Sequence, residues 1–384
     1  SVDHIFDRFP MLFVKMRKGV FWNYFDTNVE KFLVMEEKNF PCDNINQIEN
    51  NGYFLKLLCF GKRISVEIFH SLTDGCGAIE FLKMILHYYF NFLDKTKGNS
   101  STNMLIDKDI LDVLPEEMED SFSHYYKDTT LPQKKCENSY CIKGTSFESY
   151  GNNVTTGVLS ASELNSLAKS KSATITSYLA SVLIYSIYKT QQRYEIDTKP
   201  IIVSIPVNLR KVFPSRTLRN FFGVVNVGMA VNRTTTLEEI IEKTTKQLKT
   251  KTSRNALQDV ISNNVKLEKN LYSRLTPLFI KKMLISLGFN LLGETKKTIT
   301  ISNIGNISIP EEMKTLVKQI EVVLYPTLKS PINCGICSVN DRLTISFSRS
   351  IVESDIIRSF FNILSENNNL NISLYSNDWG QCNE

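Results

Sequence analysis

The stretch that most restricts the fold of this chain is the short run Phe69–Gly75, which joins a strand pattern to a helix pattern. Residues 64–70 alternate with a period of two, which predicts a strand whose last inward-facing side chain is His70. Apolar residues then recur at helical spacing over 79–89, and Asp74 stands where a short polar side chain can cap the first turn. The pattern predicts a strand, a tight turn and a helix.

His70 is the first candidate for chemistry in this turn. An imidazole exchanges protons near neutral pH, so a histidine held over a cleft can act as a general base. The structural alternative is that His70 is a hydrogen-bonded core residue and that Asp74-Gly75 is only a turn. Spacing alone leaves both interpretations open.

Length and charge restrict the function classes. At 384 residues the chain can form two domains or one two-lobed unit. The 45 lysines and arginines against 40 acidic residues give a net charge of +5 without a long basic run, so no nucleic-acid partner is expected. The sequence shows no signal-peptide core and no integral membrane span, and we predict a cytoplasmic protein. The apolar run 278–292 is interrupted by Lys281 and Lys282, which favours an amphipathic core helix.

The eight cysteines are dispersed. Cys334 and Cys337 have the spacing of half a metal site, but no second pair or histidine lies nearby in the sequence. Three residues apart in a strand, their side chains point to opposite faces. We therefore predict buried reduced thiols and no metal site.

The pattern of residues 1–151 predicts a first lobe, which carries the Phe69–Gly75 turn. It begins abruptly within a helix that ends at Pro10, which suggests missing N-terminal structure. Two hairpins are predicted, 12–25 and 54–70, followed by a polar connection from Asp94 to about 151.

Residues 152–384 predict a second lobe. Helices and strands mixed in both parts indicate an α/β or α+β architecture of two lobes. The predicted strands are 154–159, 201–207, 221–231, 298–304, 321–325, 332–339 and 343–348. The predicted helices are 162–169 with Ser162 as its cap, 176–189, 237–264, 278–292, a helix opened by Pro310, and 354–364.

Three motifs, in order along the chain, resemble one superfamily. His70-x-x-x-Asp74-Gly75 is similar to the HxxxDG motif of chloramphenicol acetyltransferase, the plant BAHD acyltransferases, peptide-synthetase condensation domains and alcohol acetyltransferases. Residues 206–210, ending in Arg210, and residues 220–226, ending in Asn226, resemble a second-lobe region of that superfamily. Residues 300–305 resemble a strand that crosses back toward the active-site channel. The bacterial alcohol acetyltransferases are the most similar branch.

The resemblance implies a two-lobe chloramphenicol acetyltransferase-like sandwich with the active-site channel between the lobes and a crossing strand near 298–305. It implies transfer of an acyl group, acetyl as the first choice, from coenzyme A to an alcohol, with His70 as general base and Asp74 as a structural, orienting residue paired with Arg210. Gly75 would allow the helix start to pack close to the channel.

Candidates for stabilising the oxyanion are Ser302, Asn303 and Asn226. The alternative for each of these three is an ordinary strand or turn residue without a role in the reaction. The alternative for Arg210 is a surface arginine that follows a strand. No permanently bound cofactor is expected, because acyl-CoA is a co-substrate.

The departures from the superfamily leave alternatives open. Many members have two histidines where this chain has Phe69-His70, and the Asp-Phe-Gly-Trp-Gly motif of the plant enzymes is absent from the sequence. A carrier-protein-dependent condensation-type domain is a second interpretation, with less support. A degenerate member that only binds a ligand or partner is a third.

Overall fold

The structure, a computed structural model, describes residues 3–37, 40–96, 113–128, 138–147, 152–194, 198–270, 275–288, 294–327, 329–366 and 370–377. Its strands are β1 (Val14–Arg17), β2 (Tyr24–Thr27), β3 (Val34–Glu36), β4 (Leu55–Phe60), β5 (Arg63–Ile68), β6 (Asn153–Ser160), β7 (Ile201–Asn208), β8 (Phe222–Met229), β9 (Ile299–Asn306), β10 (Ile332–Val339), β11 (Arg342–Arg349) and β12 (Ser373–Ser376).

The α-helices are α1 (Asp3–Arg8), α2 (Gly75–Thr96), α3 (Ser121–His124), α4 (Ala161–Ser170), α5 (Ile175–Tyr194), α6 (Leu237–Lys251), α7 (Arg254–Lys269), α8 (Leu278–Gly288), α9 (Glu311–Lys314) and α10 (Asp355–Glu366). Short 3-10 turns occupy Pro115–Met118, Leu209–Lys211 and Glu294–Lys296. None of the helices within the described ranges is both long and apolar enough to cross a bilayer.

The strands separate by their position in the chain. Those up to β5 pair in a two-stranded sheet, β1-β2, and a three-stranded sheet, β3-β4-β5. Those from β6 onward form a seven-stranded mixed sheet in the order β12-β6-β11-β10-β9-β7-β8. The predicted mixed α/β fold is therefore confirmed, whereas the boundary between residues 151 and 152 stays a prediction.

Three groups of buried apolar side chains hold these layers together. One packs α1, β1, β4 and α2 around Phe9, Phe13 and Phe81. The largest fills the space between α5 and the seven-stranded sheet. The third lies between α2 and the residues that follow β9, with Leu86 against Ile307 and Met313. Burying each large apolar side chain contributes roughly 1.5–3 kcal/mol, so this third group fixes α2 on the large sheet.

Strand β9 is the segment expected to cross toward the channel. Ile299 and Ile301 are buried in the core, while Thr300 and Ser302 lie on the opposite, half-exposed face. The strand pairs in parallel with both β10 and β7. Because its side chains alternate, one face of β9 builds the core and the other is available to a cleft.

The prediction of a strand at residues 321–325 is wrong. This segment has no strand pairing and instead lies across the face of β10 and β11. Side chains of these strands donate to carbonyl groups of residues 320–325: Thr344 to Ile320 at 2.7 Å, Ser348 to Leu324 at 2.5 Å and Asn333 to Tyr325 at 2.9 Å. Gly335 permits the close approach, because a Cβ there would lie 2.0 Å from the carbonyl oxygen of Val322.

Other boundaries differ for local reasons. Ser160, not Ser162, caps α4 and accepts a hydrogen bond from the Glu163 amide. The predicted helix 237–264 breaks into α6 and α7, because Ser253 caps a new helix. The short edge strand β12 was not predicted. Residues 97–112, 129–137 and 148–151 of the polar connection, residues 289–292 of the predicted helix 278–292, and residues 1–2 lie outside the described residues.

Helix α8 is not the core helix that the sequence predicts. Phe279 is 73% exposed and Met283 is 58% exposed, so part of its apolar surface faces solvent. The two cysteines of the Cys-x-x-Cys pair lie on opposite sides of β10, both fully buried, with Cys334 in the large core and Cys337 in the group that contacts α2.

A buried ion pair connects the first helix to the middle of the chain. Arg8 donates two hydrogen bonds to the Glu117 carboxylate, at 2.5 and 2.7 Å, and both residues are buried. The Glu117 carbonyl in turn accepts the Leu218 amide at 2.8 Å. This pair therefore couples α1 to the loop after β7.

We predict that Glu117→Gln lowers the free energy of unfolding by about 3–5 kcal/mol, because it leaves the guanidinium of Arg8 buried opposite a neutral amide. Denaturant unfolding measures the change. Asp26→Asn is the matched control: Asp26 pairs with Arg17 at 3.4 Å with both side chains half-exposed, and its loss should cost under about 1 kcal/mol. Equal effects of the two variants would contradict the prediction.

Candidate active site

His70 lies in the turn between β5 and α2. The sequence predicts it at a strand end, facing the core; instead its side chain is exposed. The reason is that β5 ends at Ile68 and the Leu72 amide bonds back to the Phe69 carbonyl at 2.9 Å, so the alternation of the strand no longer sets the direction of His70. The core-histidine interpretation is excluded.

Asp74 is the buried anchor of this turn and is 6% exposed. One carboxylate oxygen accepts the Cys76 and Gly77 amides at 3.1 and 3.3 Å, which caps α2. The other oxygen accepts Nη1 of Arg210 at 2.7 Å and the Phe221 amide at 2.9 Å. Both oxygens are thus engaged by groups other than His70, which fits a structural carboxylate.

Arg210 lies in the 3-10 turn after β7 and organises the loop that follows. Its side chain is largely buried, so the surface-arginine interpretation is excluded. Besides Asp74, its guanidinium donates to the carbonyl oxygens of Thr217 at 2.8 Å and Arg219 at 2.5 Å. A planar group with several fixed donors suits this task, because one side chain satisfies a carboxylate and several carbonyls together.

Asn220, which the sequence reasoning did not select, holds His70. Its side-chain Nδ2 donates to the His70 carbonyl at 2.8 Å, and its Oδ1 lies 3.1 Å from Nδ1 of the imidazole. Because a carbonyl only accepts, the amide nitrogen must face it and the amide oxygen must face the ring. Nδ1 therefore carries the proton and donates to Asn220, and Nε2 keeps the lone pair that a base requires.

Two glycines allow the close packing of this turn. A Cβ at Gly77 would lie 2.1 Å from Oγ1 of Thr73 and 2.4 Å from the Leu218 carbonyl oxygen, so only glycine fits there. A Cβ at Gly75 would lie 2.5 Å from Cδ1 of Ile304, the β9 residue that reaches the start of α2. The crossing strand and the turn are in contact at this point.

A large cleft of about 3120 Å³ contains the turn. Its walls come from both sets of sheets and include His70, Gly75, Phe222, Ser302 and Asn303. The Phe222 ring lies 5.4 Å from the His70 ring. An exposed imidazole with a lone pair at Nε2 thus borders a space that is large enough for two substrates.

The three oxyanion candidates differ in position. Ser302 lines the cleft, and within the described part of the chain its hydroxyl has no hydrogen-bond partner, so it remains available as a donor. Asn303 also lines the cleft, but its amide is engaged with Thr176 at 2.9 Å and with the Gly305 amide at 2.9 Å.

Asn226 is not brought to the site and is not among the residues that line the cleft. It lies four residues beyond Phe222, roughly 13 Å along the edge strand β8. The site role of Asn226 therefore stays a prediction, because its motif position sets the strand but not the distance from the turn.

A thiol also borders the cleft. Cys76 receives a hydrogen bond from Nδ2 of Asn208 at 3.1 Å. Burial, reinforced by the negative charge of Asp74, raises the pKa of the Cys76 thiol. A thiol that stays protonated is a poor nucleophile, so the site favours proton transfer by His70 over covalent catalysis by Cys76.

We predict that His70 carries its proton on Nδ1 and that Asn220→Ala removes this preference. Long-range proton–nitrogen NMR of the imidazoles reports the tautomer, and the His70→Ala spectrum assigns the signal among the four histidines. Asn226→Ala is the control and should leave the His70 signal unchanged. A wild-type ring protonated on Nε2 would contradict the geometry.

The comparisons with known proteins show that this chain is similar to several solved structures in its fold. No family model matches the sequence, and no curated protein matches it. The structure is similar to that of TRI101 from F. sporotrichioides in complex with coenzyme A and T-2, with a TM-score of 0.61 at 9% identity over 96% of this chain and 89% of that one.

Two more solved structures are similar. Polyketide synthase associated protein 5 from Mycobacterium tuberculosis gives a TM-score of 0.56 at 13% identity, over 94% of this chain and 88% of that one. The epimerization domain from the third module of tyrocidine synthetase B gives 0.51 at 12% identity, over 95% and 88%. The chain therefore has the two-lobe fold of condensation domains and chloramphenicol acetyltransferase-like acyltransferases.

Proposed function

We propose that this protein transfers an acyl group, with acetyl as the first choice, from coenzyme A to the hydroxyl of an alcohol. The observation that carries the proposal is the state of His70: its side chain is exposed on the wall of a cleft, and Asn220 holds its Nδ1. A base in that state accepts a proton from a group that enters the cleft. The similarity to TRI101, which was solved with coenzyme A, supports the donor.

The reaction needs one base and no covalent enzyme intermediate. Nε2 of His70 takes the hydroxyl proton as the acceptor oxygen attacks the thioester carbonyl carbon. The tetrahedral oxyanion that forms is stabilised by the Ser302 hydroxyl. When the intermediate collapses, the carbon–sulfur bond breaks, and the imidazolium returns its proton to the departing thiolate.

Asp74 and Arg210 act as positioning residues in this proposal. Their ion pair fixes the start of α2 against the loop that carries Asn220, and Asn220 orients the ring. Gly75 keeps the turn close to β9, and Gly77 keeps it close to Leu218 in the loop after β7. Asn303 has a supporting part, because its amide ties β9 to the start of α5 through Thr176.

Cationic side chains suited to phosphate groups also lie along the cleft. Lys211 and Lys249 both line it, next to Thr245 and Thr252. A pyrophosphate is attracted to such ammonium groups as point charges. We assign them to the phosphates of coenzyme A within this proposal.

We predict that His70→Ala lowers the rate of thiol release from acetyl-CoA by about 10²–10⁴-fold, because the variant lacks the base. A chromogenic disulfide follows the thiol in the presence of primary alcohols of increasing chain length. Since His70 is exposed, the unfolding temperature should not change. His124→Ala, at another exposed histidine, is the matched control and should keep full turnover.

Other outcomes select the alternatives. Thiol release that is equal in the wild type and His70→Ala would contradict the role of His70 and favour a protein that only binds its ligand. Transfer from an acyl-phosphopantetheinyl carrier protein, with none from acetyl-CoA, would favour the condensation-type function.

A further inference from the structure

An exposed apolar surface lies at the β1–β2 hairpin and α8. Val20, at the hairpin, and Phe279 are each 73% exposed, and Met283 is 58% exposed. Phe279 and Met283 are four residues apart and share one face of α8. We call this surface the apolar patch; its members are Val20, Phe21, Trp22, Leu275, Phe279, Met283 and Leu284.

The hairpin and the helix form one surface. The Leu278 amide donates to the Val20 carbonyl at 2.9 Å, and Nζ of Lys281 donates to the Phe21 carbonyl at 3.0 Å. The same ammonium group lies 3.3 Å from the centre of the Trp22 ring. These contacts fix the exposed side chains of both elements beside one another.

The charge around the apolar patch is mainly positive. Segments 15–25 and 275–288 contain no aspartate or glutamate, although Asp26, the next residue, pairs with Arg17 at 3.4 Å. Lys281 is buried, so the exposed lysines at the patch are Lys18 and Lys282. Two copies of the chain that met through this patch would bring these cations together, which disfavours self-association. A surface that is both apolar and anionic fits them.

Aromatic side chains connect the β1–β2 hairpin, which carries part of the apolar patch, to the cleft. Phe25, at the base of the hairpin, lies 6.1 Å from Phe54 between ring centres, and Phe54 lies 5.4 Å from Phe69. Phe54 and Phe69 both line the cleft, and Phe69 directly precedes His70. The hairpin that carries Val20, Phe21 and Trp22 therefore contacts an apolar part of the cleft wall through Phe25.

We propose that the apolar patch docks on the surface of an anionic phospholipid bilayer. The exposed aromatic and aliphatic side chains enter the layer below the headgroups, and the exposed Lys18 and Lys282 stay at the level of the phosphates. Tryptophan and tyrosine favour this interface because one end of each ring system is polar. A lipophilic alcohol dissolved in the bilayer would then reach the cleft along the aromatic wall; this last step rests on the proposed function.

Vesicle flotation of the full chain tests the docking without reference to activity. We expect the wild type to bind vesicles of phosphatidylcholine mixed with phosphatidylglycerol more tightly than pure phosphatidylcholine, and less tightly as salt is raised. The double variant Phe279→Glu, Met283→Glu should bind at least about tenfold more weakly. Val352→Glu, at an apolar residue that is 53% exposed outside the patch, is the matched control and should bind like the wild type.

Tryptophan emission gives a second measurement. The chain has two tryptophans, so Trp379→Phe leaves Trp22 as the reporter, and its emission should shift to the blue with mixed vesicles. Circular dichroism of the double variant checks that it folds. The proposal is overturned if the wild type does not bind mixed vesicles, if the double variant binds equally well, or if light scattering shows a dimer that the double variant dissociates.

Discussion

The ion pair between Asp74 and Arg210 is the constraint on which the candidate site depends. It joins the start of α2 to the loop after β7, with the two charged atoms 2.7 Å apart and both side chains largely buried. Taking two charges out of water is costly, so such a pair persists only where further hydrogen bonds satisfy both groups. Here the helix amides satisfy the carboxylate and the loop carbonyls satisfy the guanidinium. The loop that this arrangement orders carries Asn220.

The roles of the two motif residues are separated by this geometry. In a serine-protease triad the carboxylate contacts the histidine, whereas here both oxygens of Asp74 are engaged elsewhere and a neutral amide holds the imidazole. A neutral partner fixes the tautomer of His70 without stabilising the imidazolium by an opposite charge. In the proposed docking, the apolar patch would lie near the same turn, because Phe25 of the hairpin contacts Phe54 and Phe54 contacts Phe69.

Local patterns predicted most of the strands, because alternation and turn residues depend only on neighbours in the sequence. The Asp74–Arg210 pair came from the resemblance, since no local rule connects residues that are far apart. Asn220 was missed for the same reason: its contact with His70 depends on how a loop packs. Asn226 was selected by its motif position, but it is not among the residues that line the cleft. Segment 321–325 has a strand-like pattern. Side chains of β10 and β11 nevertheless bind the carbonyl groups of residues 320, 324 and 325, in place of the backbone hydrogen bonds of a neighbouring strand.

The most direct test of this account is a double-mutant cycle on Asp74→Asn and Arg210→Met, read by the free energy of unfolding. Each single change should cost about 3–5 kcal/mol, because it leaves the other group buried without its charge partner. The double variant should cost less than the sum of the two, with a coupling energy of about 1–3 kcal/mol. Costs that add to within about 0.5 kcal/mol would show that the two residues act independently and would contradict the account.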